Sequence, residues 1–264
     1  MKICIIHPYG CLFLSMLFLS SCASHGPAFL GNTGGYMVKP VFNEQKAGAF
    51  YFSGRYNEGY VYYEGEKNRS FDLSGYVSFM WKYFYLSGGF FGYGGKYHLD
   101  TDSTSRIALK PLGYDGFGGR FDIGGRVPLE ENLDLLFGIS QEFFGQRGKF
   151  EDETQSETEE IFGDIFTFGI DGISWAYNIE ARFRPSEKNS FGLRYTWDTV
   201  VGDEEGEIPV GYQKLDYSHR LSLHATFDRV TAFGQIGFTN TGQQLYGVGL
   251  CYAFPFWRKN GSDK

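Results

Sequence analysis

Asp216, Ser222 and His224 are the side chains of nucleophilic catalysis, and at a period of two they fall on one face of a single extended segment. A working triad needs mutual hydrogen bonds of about 3 Å. Residues two apart on a strand stand about 7 Å apart at the backbone. These three therefore meet only across long side chains or through a neighbouring strand, and His224 reads first as a member of a polar network. Other chemical patterns are incomplete. Gly94-Gly95-Lys96 lacks the glycine spacing of a phosphate loop and is followed by Tyr97 where Ser or Thr is needed. The stretch from Asp100 to Thr104 lacks the glycine and distal glutamate of a calcium loop. Six carboxylates lie between Glu151 and Glu160 and four more between Asp203 and Glu207, with no base among them. They read as solvated acidic loops, with divalent cations as candidate partners.

A larger set of charges recurs at alternate positions between bulky apolar residues. Arg120, Arg126, Arg182, Arg184, Arg194 and Arg220 stand against Asp122, Asp134, Glu142, Glu180, Asp198, Asp216 and Asp228. Six cations against seven carboxylates nearly balance, and with His224 they form the candidate charge network. Unpaired charge in a low-dielectric space is costly, so the balance predicts ion-pair ladders rather than the one-signed wall of a selective pore.

The elements that carry these residues are strands. In Ser190–Thr199, Phe191, Leu193, Tyr195 and Trp197 alternate with Gly192, Arg194, Thr196 and Asp198. Segments 173–184, 215–228 and 246–256 repeat the pattern. Ten strands are predicted: 47–56, 70–80, 83–98, 114–127, 133–150, 165–184, 190–201, 214–227, 231–238 and 245–256. Their connections alternate between long polar ones (57–69, 99–113, 151–164, 202–213) and short ones (81–82, 128–132, 185–189, 228–230). Only the last, 239–244, breaks the alternation.

The chain has 264 residues, 19% of them aromatic, and a formal charge of −7. Without a basic stretch it does not read as a nucleic-acid binder. The first 21 residues read as a signal peptide, with Lys2 ahead of an apolar run from Cys11 to Ser20 that is too short to span a bilayer. Leu19-Ser20-Ser21-Cys22 resembles a lipobox. That resemblance implies acylation (palmitate included) at Cys22 and, with Ala23 and Ser24 following, sorting to the outer membrane. Cys4 and Cys11 would leave with the signal, so no intramolecular disulfide is expected. Residues 22–46 read as a lipidated periplasmic tether, 47–256 as the strand domain and 257–264 as a periplasmic tail.

The alternating strands and unequal connections resemble the small Gram-negative outer-membrane β-barrels. The resemblance is one of pattern, and the residues after Phe256 depart from the usual aromatic terminus. It implies an all-β fold: a closed antiparallel transmembrane barrel of about ten strands, within a range of eight to twelve. It also implies aromatic girdles, with Trp81, Tyr83, Tyr85 and Trp257 at one rim and Tyr93, Tyr97, Tyr195, Trp197 and Tyr217 at the other. The expected role is a structural or accessory one in the cell envelope, non-enzymatic and without a cofactor or metal. Outer-membrane lipid and another envelope protein are the expected partners. The alternatives are a narrow channel for small solutes or ions, an outer-membrane hydrolase or protease resembling the barrel enzymes of that membrane, and a soluble periplasmic barrel lipoprotein of lipocalin type.

Overall fold

The computed structural model describes residues 35–40, 46–60, 67–98, 111–148, 172–201, 217–239 and 243–259. Cys22, Asp216 and both acidic loops lie outside the described residues.

Ten antiparallel strands form one closed barrel. They are β1 (Lys46–Tyr60), β2 (Lys67–Trp81), β3 (Phe84–His98), β4 (Leu112–Glu130) and β5 (Leu133–Gly148), followed by β6 (Gly172–Phe183), β7 (Asn189–Val201), β8 (Tyr217–Phe227), β9 (Val230–Thr239) and β10 (Gln244–Lys259). Each strand pairs with its neighbours in sequence, and β10 closes on β1 from Gln244↔Tyr60 to Lys259↔Lys46. The ladder that leaves β1 at Ala47↔Met80 returns to it at Leu245↔Gly59, so the strands are strongly tilted, as closure of a sheet requires. Closure leaves no unpaired edge, the condition for a sheet in hydrocarbon. β10 runs on through Trp257 to Lys259, so the expected tail begins later than 257; nothing is described of the Trp257 side chain.

The period-two pattern decides which face is which. Phe191, Leu193 and Tyr195 are 42–43% exposed and Leu223 is 63% exposed, whereas Arg194, Asp198 and Arg220 are buried at 4% or less. Phe50, Phe71, Phe90, Phe117, Ile179, Phe238 and Leu250 extend the apolar wall around the barrel. A soluble barrel turns such a face inward and its charges to water. Here the order is reversed, and so continuous an apolar exterior is a surface for acyl chains.

The girdle requires a correction. Trp81 and Tyr83 face out at the short-turn rim, and Tyr195, Trp197 and Tyr217 face out nearer the other. Tyr85, by contrast, is wholly buried in the interior, as are Tyr93 and Tyr97. The two residues between β2 and β3 explain this. Across such a hairpin the paired residues share a face, so Met80 and Tyr85 point in together while Phe84 points out. Glycines on the facing strands then make room. A Cβ at Gly124 or Gly138 would meet the Tyr85 ring or hydroxyl within 2.6 Å, and one at Gly118 would meet Phe91 at the same distance.

Candidate functional site: a charged lumen and the segment seated in it

The interior carries three tiers of charge. At the short-turn end Asp134, the second residue of β5, gathers three guanidinium groups. Its Oδ1 lies 3.0 Å from Arg126 Nη2, and its Oδ2 lies 2.8 Å from Arg184 Nε and 3.7 Å from Arg182 Nη2. Arg184 also donates to the Glu131 carbonyl at 3.1 Å, which ties the tier to the β4–β5 turn. Toward the other end three pairs bridge adjacent strands and therefore lie along the wall. These are Arg55–Asp72 at 2.6 Å, Arg120–Glu142 at 2.5 Å and Arg220–Asp198 at 3.3 Å. Asn57 donates to Asp72 at 3.0 Å, Arg55 to Gln235 at 2.9 Å and Ser218 to Asp198.

The middle tier spans the barrel. Arg194 on β7 reaches Asp122 on β4 at 3.8 Å, and the Tyr85 hydroxyl on β3 donates toward Asp122 and Asn178, both at 3.2 Å. Glu180 lies 3.3 Å from His224 Nε2. The wall thus offers two carboxylates against the Arg194 guanidinium and the His224 imidazole. Lys39 supplies the further cation, its Nζ being 3.2 Å from Asp122, 3.9 Å from Glu180 and 4.6 Å from the centre of the Tyr85 ring.

Lys39 belongs to residues 35–40, which the sequence assigned to a periplasmic tether. They lie inside the barrel instead, all buried. Gly35 sits against Arg120, where a Cβ would come 2.5 Å from Nη1. Tyr36 stacks on His224 with 4.8 Å between ring centroids. The Val38 amide donates to Tyr76 Oη at 2.7 Å. The Lys39 and Pro40 carbonyls accept from Arg182 at 3.5 and 3.4 Å. Tyr36, Met37 and Val38 close an apolar cluster with Ala49, Tyr51, Tyr76, Phe233 and Cys251. The physical reason is complementarity: an apolar triplet followed by one ammonium matches an apolar cluster on one wall and the carboxylates of Asp122 and Glu180 across from it.

Of the predicted network, Arg120, Asp122, Arg126, Asp134, Glu142, Glu180, Arg182, Arg184, Arg194, Asp198, Arg220 and His224 are buried in the lumen. Asp228 is not. β8 ends at Phe227, Asp228 takes the turn with φ of 54°, and its exposed carboxylate lies 4.0 Å from Lys188. The alternation that would aim it inward stops one residue earlier. Arg55, Asp72 and Lys39 were missed. The first two follow the same alternation as their strands (Ser53, Arg55, Asn57; Ser70, Asp72, Ser74) and were legible. Lys39 precedes the first strand, in a stretch with no alternation to read.

Ser222 and His224 take different partners: Ser222 accepts from Gln235 Nε2 at 3.0 Å, while His224 stands against Glu180 and Tyr36. The chemistry this lumen supports is electrostatic closure. It sets charges of opposite sign against one another, and the inserted segment adds the Lys39 ammonium to them.

No family model and no curated relative matches the chain. Among solved structures, the beta domain of the Bordetella autotransporter Brka aligns at 10% identity and a TM-score of 0.44, over 79% of this chain and 100% of that one. The translocator domain of autotransporter NalP from Neisseria meningitidis aligns at 11% and 0.40, over 79% and 88%. The KdgM porin in complex with disordered oligogalacturonate aligns at 14% and 0.32, over 79% and 99%. At such identities and scores these likenesses carry no functional information about this chain.

Proposed function

We propose that this chain is an outer-membrane β-barrel anchored by lipid at Cys22, closed at rest, with a structural or accessory role in the cell envelope and no catalytic chemistry. One observation carries the reading. The lumen carries tiers of opposed charges and is crossed by residues 35–40, an interior suited to holding a barrel together rather than to passing solutes. The apolar exterior supports the membrane location. Lipidation rests on Leu19-Ser20-Ser21-Cys22 and its place after the apolar run.

Purified wild-type barrel in a planar bilayer is expected to give no resolved single-channel steps at moderate voltage. Frequent uniform steps would overturn the closed-lumen reading. Separately, palmitate fed to expressing cells is expected to label the wild-type chain and not Cys22→Ala. Undiminished labelling of the variant would remove the anchor from the proposal while leaving the barrel intact.

A further inference from the structure

The segment 35–40 contributes nothing to the sheet. β1 pairs with β10 on one side and β2 on the other, and every strand has both neighbours without it. Its attachments are of other kinds: an apolar contact surface, a stacked ring, a hydrogen bond from the Val38 amide to Tyr76, two from Arg182 to the segment's carbonyls, and one ammonium between two carboxylates. It also crosses the lumen, with Ala49, Tyr51, Tyr76, Phe233 and Cys251 of β1, β2, β9 and β10 on one side of it. The Asp122–Arg194 bridge and Glu180 face it from the other. The three upper ion pairs join adjacent strands and lie along the wall, so they do not close this side by themselves.

We infer that residues 35–40 are a removable stopper latched by Lys39, and that the barrel becomes a conduit for small hydrophilic solutes when they leave. The inference rests on the closed-lumen reading above and adds what does the closing. Withdrawal leaves the sheet intact and removes both the cation and the bulk from the middle tier. What lines the vacated side is mixed, with the Tyr51 and Tyr76 rings opposite the carboxylates of Asp122 and Glu180. Such a passage is narrow and suits small ions and solutes rather than polymers.

The latch is tested by turning its charge. Lys39→Glu sets a third carboxylate against Asp122 and Glu180, and should convert a silent barrel into one showing discrete conductance steps in planar bilayers. A second change ties the segment down. The Val38 amide and the Cys251 sulfur share the Tyr76 hydroxyl, at 2.7 and 3.5 Å. Val38→Cys in the Lys39→Glu background should therefore form a disulfide with Cys251 when an added thiol oxidant (copper phenanthroline) takes up the two electrons and two protons, become silent, and conduct again after reduction with a dithiol reagent. A folded Lys39→Glu barrel that stays silent overturns the inference. So does conduction unchanged by a link verified by mass, or a link that does not form in the wild-type background. If neither Lys39→Glu nor Lys39→Ala reaches the heat-shiftable gel mobility of a folded barrel, the segment is a folding element and the stopper is equally refuted. Steps in the wild-type barrel that persist when the link is made count against the closed-lumen reading instead, so the two failures are distinguishable.

Discussion

Asp134→Ala should be the most damaging single change in the lumen, lowering barrel stability by about 3–5 kcal/mol, the cost of leaving buried charge without its partner. Asp134 is fully buried and is the carboxylate of its tier, facing Arg126, Arg182 and Arg184 together. Its loss leaves three buried guanidinium groups repelling one another. Among the described residues, Arg182 has in addition the carbonyls of Lys39 and Pro40 and the Met80 sulfur as partners at hydrogen-bonding distance. The damage should therefore spread to the seat of the segment. The check is the urea concentration at which purified barrel in detergent loses its folded gel mobility. Asp134→Asn should recover little, since an amide keeps the shape and loses the charge. A midpoint unchanged in Asp134→Ala would mean that water or another anion already serves these arginines.

The second large effect belongs to the opposite face. Leu223→Arg should cost about 2–4 kcal/mol if this part of the wall lies near the bilayer midplane, because a cation there must leave water for hydrocarbon. Leu223 is 63% exposed, and its cross-strand partner on β7, Leu193, is exposed as well. The residues on either side of it in sequence, Ser222 and His224, point into the lumen. The measurement is again the unfolding midpoint, now in lipid vesicles. A tolerated arginine would mean that this wall meets water or another protein, and would undermine the membrane assignment more directly than any lumen variant. The two predictions are complementary, since removal of a charge is harmful inside and addition of one is harmful outside.

Both depend on parity, and parity was legible because the strands are long and their turns short. Leu221 and Leu223 against Arg220, Ser222 and His224 read as two faces with no knowledge of neighbours. The face for lipid was legible too, since rings and branched chains on one side and glycine with balanced charge on the other suit a narrow closed barrel in hydrocarbon. β3 was harder. Phe84-Tyr85-Leu86 and Phe90-Phe91 put large apolar groups on both faces, and only the pairing of Met80 with Tyr85 across the β2–β3 turn settles which ones enter. Tyr85, Tyr93 and Tyr97 therefore went to the girdle by sequence and to the lumen in three dimensions. Asp228 failed for a related reason: alternation holds along a strand and ends where a turn residue takes a positive φ.

The amino-acid sequence by itself determined the local terms: ten alternating segments, for most of them the side that can meet lipid, and a nearly balanced set of charges on the other side. These are properties of neighbouring residues, and a period of two exposes them. The tertiary structure decided what depends on distant residues. It set which carboxylate serves which arginine, and it fixed the closure of β10 on β1. It also brought Lys39 between Asp122 and Glu180, although all three are far apart in the chain. A stretch such as 35–40, outside any strand, has no alternation of its own to declare a site. Its place is set by the shape and charge of a cavity that exists only once the barrel has closed.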